Sequence, residues 1–221
     1  MGIIELKAIL LLSGVAIILT GCGNDPKAAN EANFEKALNT YYAVKKQCVG
    51  IGNAPNNEGI IQEFRISGRV QNKQLPFYNG LRDLGLLETV SYQKDERTFS
   101  GEVIGKADWI GFKFSEQGRT YLRPAELDKG FFNTGTPQLC FGTPQIVEIT
   151  NFTEPAEIMG VKASTVQYTY TLVDVAPWAH DPILSTKFKW MPDALSSQSI
   201  KSDDDMVLTN SGWVHHSEFD Q

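Results

Sequence analysis

Histidine and cysteine, which supply many catalytic and metal-binding centres, are scarce in this chain of 221 residues, with three of each. The sequence also lacks the His-Glu-x-x-His zinc motif, the Gly-x-Ser-x-Gly nucleophile motif and a phosphate-binding glycine-rich loop. Enzymes built on these motifs are therefore excluded. The sequence predicts a protein that is not an enzyme and that carries no cofactor.

A surplus of basic residues is missing as well. Lys and Arg number 20 against 26 Asp and Glu, which leaves a formal net charge of −6. Phosphate would be repelled over much of such a surface, so we expect no nucleic-acid partner. The hydrophobic content of 42% is ordinary for a globular protein, and the length allows one large domain or two small ones.

No apolar run reaches the roughly 20 residues that a membrane-spanning helix needs. The run nearest to this length, residues 8–19 (AILLLSGVAIIL), lies at the N-terminus, with Lys7 before it and a polar stretch after it. This arrangement is typical of the core of a secretory signal peptide. The alternative is a buried apolar helix of the folded protein.

Residues 19–22, Leu-Thr-Gly-Cys, follow the apolar run directly. They resemble the lipobox of bacterial lipoproteins, in which the signal peptide is removed before the cysteine. The resemblance implies that residues 1–21 are a signal peptide and that Cys22 carries lipid (diacylglycerol with palmitate-type chains) and holds the protein on a bilayer. Gly23 stands where aspartate would favour inner-membrane retention, so the resemblance implies the outer membrane, facing the periplasm. Residues 22–33, small and polar, predict a lipidated flexible tether.

Two further cysteines remain, Cys48 and Cys140. Two thiols in an oxidising compartment usually pair, so we predict a disulfide between them. Two independent buried thiols are the alternative. Neither cysteine has a second cysteine or a histidine at ligand spacing, so no metal site is expected.

The first predicted folded region covers residues 34–130 and begins with a helix over residues 34–48, where apolar residues recur with helical periodicity. Residues 81–90 (LRDLGLLETV) and 112–122 (FKFSEQGRTYL) then resemble a winged-helix module. The resemblance implies a helix that ends near Gly85, a β-hairpin wing and a further short helix. Winged helices usually bind DNA, but residues 60–123 hold ten Lys and Arg against eight Asp and Glu, without a basic stripe. We therefore expect a scaffold or a protein-contact surface.

The second predicted region, residues 131–221, is rich in β-strand patterns. Residues 165–173 alternate between apolar and polar side chains, and residues 206–214 have the pattern of a hairpin. Strands joined by hairpins predict an antiparallel sheet, so the chain as a whole is expected to be α+β.

Aromatic and histidine residues of this second region are the remaining candidates for a site. Trp178 and Trp190 stand in loop-like contexts and are possible binding residues, although aromatic residues can equally fill a core. His180, beside Asp181, could in principle act as a base, while His215 at the end of a strand is expected to have a surface or edge role.

These observations predict a membrane-anchored envelope lipoprotein without catalytic activity, with a binding or accessory role in the periplasm. Its partners are the bilayer, through acylated Cys22, and a protein or cell-wall component. One alternative is an envelope hydrolase whose active site has no recognised motif. Another is a DNA-binding regulator, which would require the N-terminal run to stay uncleaved or the chain to stay in the cytoplasm.

Overall fold

A computed structural model of the protein describes residues 25–66, 72–123, 135–158 and 160–219. The predicted signal peptide and Cys22 lie outside these ranges. Among the described helices, none has the length and apolar character needed to cross a bilayer. The described chain is α+β with more strand than helix, as the sequence predicts.

The first helix, α1 (Glu31–Val44), begins at Asn30, whose side-chain oxygen accepts a hydrogen bond of 2.9 Å from the backbone N–H of Asn33. This is a helix cap of the usual kind, in which a side chain satisfies a free backbone donor. The buried residues Phe34 and Leu38 are four positions apart, so they lie on one face. That face packs on the main sheet.

Two sequence expectations around α1 need correction. Cys48 does not belong to the helix but to a short strand, β1 (Gln47–Gly50), because this segment pairs its backbone groups with a neighbouring strand. The predicted tether is also not free over its described part. Residues 31–33 form the first turn of α1, and the indole N–H of Trp213 donates to the carbonyl oxygens of Lys27 (3.2 Å) and Ala28 (3.1 Å).

A large antiparallel sheet forms the centre of the molecule, and α1 covers one of its faces. Its strand order is β1-β5-β7-β8-β9, and the short strand β6 pairs with β7. The strands besides β1 are β5 (Gln138–Phe152), β6 (Ala156–Ile158), β7 (Val161–Val173), β8 (Ile200–Thr209) and β9 (Gly212–His215).

Strand β7 shows how the sequence selects the two faces of this sheet. Val166 and Tyr168 are 0% and 1% exposed and belong to the core under α1, whereas Gln167 between them is exposed. Successive side chains of a strand point to opposite faces, so this alternation places one face on the core and the other toward solvent.

A smaller antiparallel sheet has the order β2-β4-β3 and comprises β2 (Gln62–Arg65), β3 (Leu87–Arg97) and β4 (Val103–Phe114). Helix α2 (Leu75–Asp83) precedes β3, and the short α3 (Glu116–Arg119) follows β4. Gly85, with a φ of +76°, lies between α2 and β3 in the left-handed conformation that glycine adopts most readily. The remaining helices are α4 (Pro182–Lys187), α5 (Met191–Ser196) and α6 (His216–Phe219).

The two regions predicted from the sequence, 34–130 and 131–221, share both a sheet and a core. Strand β1 of the first region pairs with β5 of the second. Around the small sheet, Phe112 of the first region packs in the same apolar cluster as Phe141 and Trp178 of the second. Neither side of the boundary at residue 130 therefore buries its apolar face alone.

The large sheet has two ends that carry different parts of the chain. Val207 of β8 pairs with Ala163 near the start of β7, so the β8–β9 turn and the β6–β7 turn lie at the same end. Residues 25–28 lie there too, since a Cβ on Gly212 would be 2.9 Å from the carbonyl oxygen of Pro26. We call this end the N-terminal end of the sheet.

The small sheet lies at the other end. There the first residues of β5 pair with β1, and Leu139 and Phe141 of β5 pack in the apolar cluster of the small sheet. Strand β5 has 15 residues, which at 3.3 Å per residue is a length of about 50 Å. The N-terminal segment and the small sheet are thus separated by most of the length of β5.

Candidate functional site

The two cysteines expected to pair form a disulfide with an S–S distance of 2.02 Å. Cys48 of β1 and Cys140 of β5 are register partners in the large sheet, 92 positions apart in the chain. The bond therefore fixes an edge strand of four residues to its only neighbour among the described strands. Its role in the fold is structural.

Trp178 is not at the surface, so the binding role considered for it is wrong and the alternative, a core position, holds. It is 5% exposed and packs edge-on against Tyr121 and Phe141, with ring centroids 5.7 and 6.2 Å away. The 3-10 turn Pro177–His180 carries it into the core instead of around the outside. Its indole nitrogen is buried without a hydrogen-bond partner in the described part of the chain.

Trp190 is accessible, with 45% of its surface exposed and its ring 6.1 Å from that of Phe141. It lines a shallow cavity of about 440 Å³ together with Tyr170, Leu172 and Ile200. Of the two tryptophans singled out from the sequence, Trp190 alone is available to a partner in the described structure.

His180 lines a surface cavity of about 550 Å³. The polar side chains of Asp181 and Ser185, which line the same cavity, form hydrogen bonds with nearby backbone groups. The carboxylate of Asp181 accepts a hydrogen bond of 2.9 Å from the backbone N–H of Ile183 and so caps α4. The hydroxyl of Ser185 donates to the carbonyl oxygen of Pro182. Neither group orients the imidazole, so this cavity has no base with an orienting partner.

A buried polar cluster lies between α1 and the strands β8 and β9. The carboxylate of Asp204 accepts hydrogen bonds from the hydroxyls of Tyr42 (2.9 Å) and Tyr168 (2.5 Å), and its other oxygen lies 3.3 Å from Nε2 of His215. Burial by itself raises the pKa of Asp204, but the hydrogen bonds from His215, Tyr168 and Tyr42 outweigh it and bring the pKa below its usual value. The carboxylate is therefore ionised at neutral pH.

His215 is 3% exposed and stacks on Tyr41 with ring centroids 3.7 Å apart, so the expected surface position is wrong, although its strand β9 is at an edge of the described sheet. Its Nδ1 lies 2.9 Å from the Ser217 hydroxyl and also accepts the Ser217 backbone N–H at 3.2 Å. Asp204, His215 and Ser217 thus have the connectivity of a hydrolytic relay. However, the lone pair of Nδ1 is shared with a backbone donor, and this makes it a poor base for the hydroxyl.

Two further arrangements of residues were considered, a metal site and a Ser-x-x-Lys catalytic pair. Within the described residues, no group of three His, Cys, Asp or Glu side chains is placed to hold a metal ion. Ser91 and Lys94 have the spacing Ser-x-x-Lys, but they stand on strand β3, where residues three apart point to opposite faces. Lys94 forms an ion pair with Glu63 instead.

The feature with the clearest binding character is the hairpin of β3 and β4. Register partners run from Leu87 with Phe114 to Arg97 with Val103, whereas β2 pairs with β4 only over Gln62–Arg65. In the described structure, the far half of the hairpin is therefore a two-stranded extension. We call this extension, residues 94–106, the arm.

The tip of the arm is apolar and open to solvent. Phe99 is fully exposed, Ile104 is 65% exposed and Val103 is 47% exposed. Gly101, with a φ of +89°, allows the tight turn between them. Three exposed apolar side chains within six residues leave apolar surface in contact with water, and exposed apolar surface of this kind marks contact sites.

Ionic contacts hold the base of the arm to the small sheet. Arg65 of β2 pairs with Glu96 at 2.5 Å, and Glu63 accepts hydrogen bonds from Lys94 and Tyr92. These hydrogen bonds lower the pKa of Glu63, with the contact from Lys94 as the largest cause. The Lys94 ammonium also lies 4.7 Å from the centre of the Trp109 ring.

The sequence pattern does not predict a binding site at the tip of the arm, because residues Lys94–Gly101 have the composition of a polar turn. Phe99 directly before a Ser-Gly pair, followed by Val103 and Ile104, was the available signal. Comparison with protein-family models, with curated proteins and with solved structures gives no match for the chain.

Proposed function

We propose that this protein is a non-catalytic, lipid-anchored envelope lipoprotein that holds a protein partner through the tip of the arm. The observation that carries the proposal is the exposure of Phe99, Val103 and Ile104 at the tip of a two-stranded extension whose base forms ion pairs with β2. Aromatic side chains at exposed, rigid positions supply much of the binding free energy in protein interfaces. Trp190, in its shallow cavity, is a second possible contact residue.

The separation of the two ends of the large sheet supports this proposal. Acylated Cys22 would hold the N-terminal end of the sheet near the outer membrane, facing the periplasm. The small sheet that carries the arm packs at the other end of β5. Such an arrangement leaves the arm accessible to a periplasmic partner while the anchor stays in the bilayer.

The small sheet with α2 and α3 supports the winged-helix interpretation as a scaffold. Its order β2-β4-β3, with a helix before β3 and a hairpin formed by β3 and β4, is compatible with a wing module. It departs from that pattern in having one helix, α2, between β2 and β3 among the described residues. Arg65 and Lys94 are paired with carboxylates, which argues against phosphate binding by the hairpin.

Photo-crosslinking in intact cells tests the partner-binding role. A photoreactive amino acid is placed at Phe99 or Ile104, with matched controls at Val44 and Val147, which are 53% and 54% exposed away from the arm. We expect one and the same protein adduct from both arm positions, lost when the neighbouring Val103 is replaced by Asp. No adduct, or an equal adduct from the controls, would contradict the proposal.

The anchor is tested separately by the mass of the mature chain and by metabolic labelling with a palmitate analogue. We expect a chain that starts at Cys22 and carries acyl groups, and a Cys22→Ala variant that is neither labelled nor held in the outer-membrane fraction. Unlabelled wild-type protein in the same fraction as the variant would refute the lipoprotein assignment.

A further inference from the structure

The N-terminal end of the large sheet holds the first described residues firmly against the folded body. Besides the two hydrogen bonds from Trp213, the side-chain amide of Asn33 donates to the carbonyl oxygens of Asp25 and Ala28, both at 2.8 Å. Residues 25–28 are therefore part of the body, and Asp25 is the point from which the chain leads back to Cys22.

The chain between this point and the predicted lipid anchor is very short. Only Gly23 and Asn24 separate Cys22 from Asp25, and three Cα steps span at most about 11 Å. The lipid-bearing residue Cys22 would consequently lie within about 11 Å of Asp25, which keeps the bilayer surface close to this end of the body. A body held so closely has to rest one of its surfaces on the membrane.

An apolar patch lies at the same end of the sheet. Ile158 and Val161, paired across the β6–β7 turn, line a concavity of about 510 Å³ together with Ala163, Val207 and Phe219. Ile158 is 56% exposed and Phe219 is 43% exposed, which is unusual for two large apolar side chains around one concavity. We call this set of five residues the end patch.

Helix α6 connects the end patch to the anchor point. Glu218 of α6 lines a small groove with Pro26, and the next residue, Phe219, lines the concavity of the end patch. One short helix, about 10 Å in diameter, thus separates the anchor point from the end patch. The end patch lies within the distance at which the anchor would hold the bilayer.

The charges around the end patch select the kind of lipid surface. Among the described residues, the exposed acidic side chains at this end are Asp25, Glu154, Glu157 and Asp205, the last of which lines the concavity, and the exposed basic ones are Lys27, Lys36 and Lys162. This acidic surplus repels anionic headgroups, so apolar contact is favoured on a zwitterionic surface.

We infer that the end patch is a membrane-contact surface, with Ile158 and Phe219 inserted at the boundary between headgroups and acyl chains of a zwitterionic bilayer. The inference rests on the proposed lipid anchor, which supplies the proximity. The patch then fixes the orientation of the body, because two side chains on either side of a concavity restrict rotation about the anchor. The core of the small sheet is held at the far end of β5.

The test uses the full-length, acylated protein in vesicles of phosphatidylethanolamine and phosphatidylcholine. A single cysteine is introduced as Ile158→Cys or Phe219→Cys, with Ile104→Cys on the arm and Val147→Cys on the large sheet as controls of similar exposure. With Cys22 acylated and the disulfide formed, the new thiol is the only free one, and it takes an environment-sensitive fluorophore.

We expect blue-shifted fluorescence and several-fold stronger quenching by lipids brominated in their acyl chains at the two patch positions than at the two controls. Equal quenching at all four positions, on vesicles that carry the acylated protein, would overturn the inference and leave the lipoprotein proposal intact. A chain that lacks acyl mass and does not float with the vesicles would overturn both. Unchanged or stronger quenching when phosphatidylglycerol replaces part of the phosphatidylcholine would overturn the choice of a zwitterionic surface.

Discussion

Replacement of Asp204 by alanine probes the polar cluster that joins α1 to β8 and β9. The carboxylate accepts from two tyrosine hydroxyls and contacts His215, and its side chain is 20% exposed. Hydrogen bonds to a charged group contribute about 1.5–3 kcal/mol each. The hydroxyl oxygens of Tyr42 and Tyr168 are 2.6 Å apart, so these two groups can still form a hydrogen bond with one another in the variant. We therefore expect Asp204→Ala to lower the free energy of unfolding by about 3 kcal/mol.

The effect should depend on pH in a defined direction. Because the folded-state pKa of Asp204 lies below that of the unfolded chain, its stabilising contribution is complete above the unfolded value of about 4. It is lost as pH falls through the folded value. The difference between wild type and Asp204→Ala should thus shrink as pH falls below about 4.

Urea unfolding of the chain without its first 22 residues, followed by tryptophan fluorescence, measures this difference. Asp203→Ala is the matched control, because Asp203 is the exposed neighbour on the other face of β8. It should change stability by less than about 0.5 kcal/mol. An Asp204→Ala variant as stable as this control, or a difference that grows below about pH 4, would refute the reasoning.

Three further substitutions test the packing that positions the arm. Trp178→Ala should destabilise the protein by about 3–5 kcal/mol, measured by the same unfolding assay, because it empties a site in the core of the small sheet. Gly118→Ala should prevent the native fold as judged by circular dichroism, since a Cβ there would lie 1.9 Å from the carbonyl oxygen of Leu86. Replacing both Cys48 and Cys140 by alanine should cost about 2–5 kcal/mol in the unfolding assay, because the bridge closes a loop with a sequence separation of 92.

Elements with strong local patterns could be predicted from the sequence. The alternation over residues 165–173 predicts a strand that the structure extends to Val161–Val173, and the helix expected to end near Gly85 is Leu75–Asp83. In both cases the signal is local. The strand shows an apolar–polar alternation with a period of two residues, and the helix is followed by a glycine in the left-handed conformation.

Features that depend on distant segments could not be predicted. Cys48 continues an apolar helical pattern, yet it lies on a strand because β5, some 90 positions later, offers backbone partners there. Trp178 stands among turn residues, yet it is buried because Tyr121 and Phe141 surround it. Phe99 lies in a polar turn, and its exposure follows from the length of the arm beyond β2.

The sequence by itself determined an α+β chain with antiparallel strands, and it predicted the lipid anchor and the pairing of two cysteines. Tertiary structure decided which aromatic residues are accessible, how Asp204 and His215 meet, and that the N-terminal segment and the small sheet lie at opposite ends of β5. The physical reason is that periodicity specifies which face of an element is apolar. Which segment covers that face depends on contacts between residues far apart in the chain.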